Sequence, residues 1–124
     1  METLDESADA VQRMLRVQTT FLTKESVKKG AAFRPQPKDV IISTASKSGT
    51  TWVQQICHSL RSRGDMDFDE IGTVVPCLEM AHDSGYEDLQ KPQPYAPRMF
   101  KTHFAYDLCP KEAGKYIVVI RCVR

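Results

Sequence analysis

No apolar run in this sequence approaches membrane-spanning length, and no apolar stretch near the N-terminus leads to a small-residue cleavage site. Cysteine is sparse and scattered. Cys57, Cys77, Cys109 and Cys122 lie far apart with no C-x-x-C pair, so zinc and dithiol motifs are excluded, and Cys57 reads as a reduced core thiol. Neither sign of charge is in excess: 17 Lys+Arg against 16 Asp+Glu leave +1. No bulk attraction to nucleic acid or to an anionic membrane follows, and any anion site has to be built from locally placed side chains. Internal repeats and low-complexity tracts are absent. The acidic run Asp65-Met-Asp-Phe-Asp-Glu70 is not an EF-hand loop. Counted from Asp65, that loop needs glycine at Glu70 and glutamate at Pro76. A solvated acidic turn is the better reading. These absences fit a soluble protein of a reducing compartment, the cytoplasm, with no metal site.

What is present centres on Asp39-Val-Ile-Ile-Ser-Thr-Ala-Ser-Lys-Ser-Gly-Thr-Thr-Trp52 and the following Val53-Gln-Gln-Ile-Cys-His-Ser-Leu60. Val40, Ile41 and Ile42 form a β-branched run of strand length. Trp52, Val53, Ile56, Cys57 and Leu60 recur at helical spacing and predict an apolar face, with Gly64 as the helix stop. Between strand and helix lies Ser46-Lys-Ser-Gly-Thr-Thr51. A turn that feeds a helix N-terminus presents unpaired N–H groups and the positive end of the helix dipole. Lys47 adds a full charge. Ser48, Thr50 and Thr51 add hydroxyl donors, and Gly49 lets the backbone approach a ligand. This is chemistry for an anion with several oxygens, a phosphate above all. It is not a Walker A loop, because Lys47 precedes the glycine by two residues instead of following it.

Thr44-Ala-Ser-Lys-Ser-Gly-Thr-Thr-Trp52 resembles the 5′-phosphosulfate loop T-x-P-K-S-G-T-T-W of the cytosolic sulfotransferases, with Ser46 in place of proline. Pro97-Arg-Met-Phe-Lys-Thr-His103 resembles the family's P-R-x-x-K-T-H, although Ala105 stands where a proline is usual. Gly114-Lys-Tyr-Ile-Val-Val-Ile-Arg121 resembles the strand K-x-I-Y-V-x-R. Val74-Val-Pro-Cys-Leu-Glu79 resembles V-P-F-L-E, with Cys77 in an aromatic's place. The likeness runs from about Phe33 to Arg121. It implies an α/β fold: a P-loop-like parallel sheet flanked by helices, the N-terminal part of a sulfotransferase fold.

The resemblance also implies roles. The co-substrate is 3′-phosphoadenosine 5′-phosphosulfate (PAPS), bound by Lys47, Ser48, Gly49, Thr50, Thr51, Trp52 and Arg121. Arg121 meets the 3′-phosphate, a task suited to a planar guanidinium. His103 is the catalytic base, and Lys47 and Lys101 stabilise the charge in transfer. The acceptor is a small phenol, alcohol or amine, and no metal is required. A homodimer is expected of the complete form. A competing reading is a truncated, non-catalytic fragment that binds nucleotide weakly or pairs with a full-length subunit. A small-molecule kinase is disfavoured by the displaced lysine and by the lack of a recognisable magnesium-binding acid.

At 124 residues one domain is expected. Residues 1–37 form its N-terminal helix and lead-in, with an amphipathic helix over residues 2–17. Residues 38–124 form its PAPS-binding α/β part. The third strand, Tyr116 to Ile120, reads as a buried-type apolar strand with little chain left to cover it. Residues 83–97 read as a loop, with a pocket lid as their expected use.

Overall fold

The computed structural model describes residues 9–10, 22–45, 49–86 and 88–122. Of the expected helix over residues 2–17 only Asp9 and Ala10 are described. Helix α1 spans Lys24–Ala31 in a segment whose sequence reads as mixed. It owes its start to Thr23, whose hydroxyl accepts from the Ser26 N–H at 3.2 Å, and Glu25 and Lys28/Lys29 complement the dipole at either end. Strand β1 is Val40–Thr44 and helix α2 is Thr50–Ser62. A single turn, α3, covers Ile71–Val74. Strands β2 and β3 are Met99–Thr102 and Lys115–Val119.

The three strands form one parallel sheet in the order β2-β1-β3. Val40 pairs with Met99 on one side and with Lys115 on the other. Side chains alternate across the sheet. Val40, Ile42 and Met99 therefore pack with Cys57 of α2 and with Val75. On another part of the core, Phe100 packs with Leu78 and Phe33, the two rings 4.6 Å apart at a tilt. Cys57 is the buried thiol the sequence predicts.

Two expectations about burial need correction. Helix α2 buries only part of its apolar stripe: Cys57 is buried and Val53 packs against the core, but the rest faces out. Trp52 is 73%, Ile56 44% and Leu60 76% exposed. The face against the protein is Thr50, Gln54, Cys57, His58 and Ser62. Polar side chains there serve as ties: Gln54 Nε2 donates to the Val75 carbonyl at 3.0 Å, and Arg61 donates to the carbonyls of Val74 and Pro97 and to Gln93 Oε1. Nor is β3 a buried strand. It is an edge strand, with Val118 64% and neighbouring Ile120 87% exposed. The helix does stop where Gly64 predicts. Arg63 and Gly64 both take positive φ, and the Gly64 N–H returns to the Ser59 carbonyl at 2.9 Å.

The segment 83–97 is irregular, as expected, yet it is tied down. Gln93 exchanges two hydrogen bonds with Met99, each at 2.9 Å. The acidic run opens with an Asx-type turn, the Asp67 N–H donating to Asp65 Oδ1 at 2.9 Å, and the Tyr95 hydroxyl donates to the same carboxylate.

His58 sits beneath this loop, 1% exposed, edge-on to Phe68 and Tyr95. Its Nδ1 accepts from Arg61 Nε at 3.0 Å, which requires an unprotonated nitrogen. Burial first, then the Arg61 charge, hold its pKa below the ordinary 6.5. The unfolded chain therefore binds a proton that the native state refuses. Stability should fall as pH drops through about 6.5 and level off below the depressed native value. Urea midpoints measured from about pH 7.5 to about pH 5.5 should show a steeper acid-side decline in the native chain than in His58→Gln. Equal slopes would contradict a buried neutral His58.

Candidate functional site

Parallel strands deliver their C-terminal ends to one edge of a sheet, and ligands of such sheets bind there. Here that edge gathers Thr44 at the end of β1 and Ala45 after it, His103 after β2, and Ile120 and Arg121 after β3. They line a hollow of about 450 Å³ together with Ser43, Phe104, Ala105, Val118 and Val119. The N-terminus of α2 opens from the same strand end. Ser46, Lys47 and Ser48 lie outside the described residues.

Gly49 caps α2 with φ 95, a left-handed conformation, and makes no side-chain cap. Among the described residues no side chain caps the first-turn N–H groups. A Cβ placed on Gly49 would meet nothing within 4 Å, so the space beside it is open. Thr51 is exposed and Trp52 stands out from the first turn. Thr50 is 6% exposed, and its hydroxyl shares a hydrogen bond with that of Thr44.

His103 is held from two sides. Its Nδ1 lies 2.9 Å from the Thr44 carbonyl oxygen. A carbonyl only accepts, so Nδ1 carries a proton, and in the neutral ring Nε2 is the nitrogen with the lone pair. On the main-chain side, the His103 N–H donates to Glu79 Oε1 at 2.7 Å, while the Thr102 hydroxyl donates to Glu79 Oε2 at 2.8 Å. Nothing in the sequence pattern announces these meetings. The Thr44–His103 and Glu79–His103 pairs are separated by 59 and 24 residues, and only the tertiary fold brings them together.

Lys101 pairs with Ile42 in the sheet and is half-buried, on the α2 side with Met99. Cys77 forms a parallel bridge with Lys101. Its thiol is pushed up to about 12, chiefly by burial and then by the Glu79 charge, with Lys101 opposing. It is an inert thiol at neutral pH. Among the described residues no group of three or more His, Cys, Asp or Glu is placed to hold a metal ion, and no helix is long and apolar enough to cross a membrane.

A family model described as a sulfotransferase domain matches residues 37–124, three residues past the end of the resemblance legible by eye. Sulfotransferase 1B1 of Canis lupus familiaris is 43% identical over 86 residues, covering 64% of this chain and 28% of that protein. Human sulfotransferase 1E1 is 35% identical over 85 residues, with the same coverages. The chain thus spans well under half the length of these curated relatives. A crystal structure of an Arabidopsis thaliana sulphotransferase superposes with a TM-score of 0.55 at 21% identity, over 74% of this chain and 39% of that one, a likeness of fold. The parallel sheet, the helix springing from β1 and the match over residues 37–124 agree: this chain belongs to the sulfotransferase domain family.

Proposed function

We propose that this chain carries the donor-binding part of a sulfotransferase that moves a sulfuryl group from PAPS to a hydroxyl or amine of a small acceptor in the cytoplasm. The observation that carries the reading is that His103 and Arg121 line one hollow at the strand ends, with the first turn of α2 tied to the same strand end through Thr44 and Thr50. The residues suit such a ligand. Open space at Gly49 admits a phosphate, exposed Trp52 offers a face near an adenine, and exposed Arg121 offers a fork for the 3′-phosphate. Residues 38–124 form this donor-binding part, and residues 1–37 lead into it.

PAPS supplies the activated sulfuryl group, and this chain's residues position and neutralise. Lys47, Ser48, Gly49, Thr50 and Thr51 hold the 5′-phosphate end, Thr50 from a buried position beside Thr44. His103 Nε2 takes the acceptor's proton. Lys47 and Lys101 offset the charge that develops on the bridging and sulfuryl oxygens. The complete form is a homodimer in this proposal, and the chemistry needs no metal.

Lys47→Ala should weaken binding of adenosine 3′,5′-bisphosphate, the desulfated product, by about 1.5–3 kcal/mol, the worth of a charge-assisted hydrogen bond. Calorimetric titration of the native chain and the variant checks this, and equal affinities would remove Lys47 from the site. A second reading keeps nucleotide binding without transfer, with the chain pairing with a full-length subunit. The exposed apolar edge of β3 favours it, since such edges invite another strand. Light scattering together with a sulfate-transfer assay separates the two.

A further inference from the structure

The Glu79 carboxylate is buried at 5% exposure, beside the Cys77 thiol, and both its oxygens reach the chain around His103. One oxygen takes the His103 N–H at 2.7 Å and the other takes the Thr102 hydroxyl at 2.8 Å. The Thr102 oxygen in turn accepts the Phe104 N–H at 3.0 Å. One side chain therefore ties Thr102 and His103 directly, and Phe104 through Thr102. Glu79 is itself held hard. Ser26 of α1 donates to its carbonyl at 2.6 Å. Gly30 approaches so closely that a Cβ there would lie 2.4 Å from the Leu78 oxygen and 2.9 Å from the Glu79 nitrogen. The approach of α1 sets Glu79, and Glu79 sets the main chain that carries the imidazole.

We infer that Glu79 is a positioning residue for His103. By anchoring the main chain it lets the imidazole reach the Thr44 carbonyl through Nδ1, and so keeps the tautomer whose Nε2 can accept a proton. The inference rests on the reading of His103 as the base, but its geometry does not. Without the carboxylate, the His103 N–H loses its partner and the turn after β2 is free to rotate. The ring then has no reason to hold Nδ1 against Thr44. Glu79 touches neither acceptor nor donor in this account and acts only through His103.

The test is the tautomer itself, read from imidazole ¹⁵N shifts in the 124-residue chain, with His103 assigned by the loss of its signals in His103→Asn. The native chain should show His103 predominantly protonated at Nδ1. Glu79→Leu should lower the ratio of Nδ1–H to Nε2–H about tenfold, as expected for a lost buried hydrogen bond. Glu79→Gln, which keeps one acceptor for the His103 N–H, should restore most of it. A folded Glu79→Leu with the native ratio would overturn the inference. If Glu79→Leu does not fold, Glu79→Asp decides, being one methylene shorter with its charge retained. A reduced ratio there supports the role and a native ratio ends it. No turnover is involved, so failure here is separate from failure of His103 as the base.

Discussion

His103→Ala is expected to lower turnover by about 10²–10⁴-fold, the usual contribution of a positioned general base. That equals about 3–5 kcal/mol of transition-state stabilisation. The affinity for adenosine 3′,5′-bisphosphate should change little, because the ring's polar contacts run to Thr44 and not to the helix N-terminus. The expectation follows from the tautomer. With Nδ1–H committed to a carbonyl, only Nε2 is left to take a proton, and it belongs to a residue lining the hollow at the strand ends. Steady-state kinetics with a phenolic or alcoholic acceptor, on a chain extended to the length of the relatives, checks this. Near-native turnover would remove His103 from the chemistry.

Asp39→Ala should cost about 3–5 kcal/mol of stability, the penalty for stranding one partner of a buried ion pair. Asp39 is 2% exposed and meets Arg98 in a fork, Nε to Oδ1 at 2.9 Å and Nη2 to Oδ2 at 2.6 Å. The same carboxylate accepts the Gln36 N–H at 2.7 Å, and Arg98 lies 5.4 Å over the Phe100 ring and 5.8 Å over Phe33. The pair sits where β1 and β2 begin, at the end of the sheet opposite the site, and clamps their register. Such a loss is a large share of the roughly 5–15 kcal/mol that holds a domain together. The paired change Asp39→Leu with Arg98→Met should recover much of it, since no charge is then buried alone. Urea unfolding of the three chains checks this. A loss below about 1 kcal/mol in Asp39→Ala would mean the pair behaves as an exposed one.

The strand–turn–helix unit was legible because its signals are local. Val40 to Ile42 can hardly be anything but a strand, and Gly49 and Gly64 bracket the helix between them. The orientation of that helix was not legible. Hydropathy places Trp52, Ile56 and Leu60 inward, but Gln54 and Arg61 make the hydrogen bonds that dock α2, and partners 13 to 36 residues away carry no periodic signature. Strand β3 was recognisable from Tyr116 to Val119, yet its exposure depends on which elements lie beside it in space. Helix α1 was hidden because its start rests on Thr23 and on Asp83, 60 residues away, and not on an apolar stripe. At the site, residue types were readable from the motifs. The support for His103 was not, because Thr44 and Glu79 reach it only through sheet register and the close packing of α1.

The central claim is that the α2 N-terminus, His103 and Arg121 form one anion site. Backbone amide shifts of the ¹⁵N-labelled chain during titration with adenosine 3′,5′-bisphosphate test it most directly. The account predicts saturable, concerted shifts at Gly49, Thr50, Thr51 and Trp52, together with His103 and Arg121, and their loss in Lys47→Ala. An absence of saturable shifts, or shifts centred on the separate hollow between Phe33 and Tyr86, would contradict it.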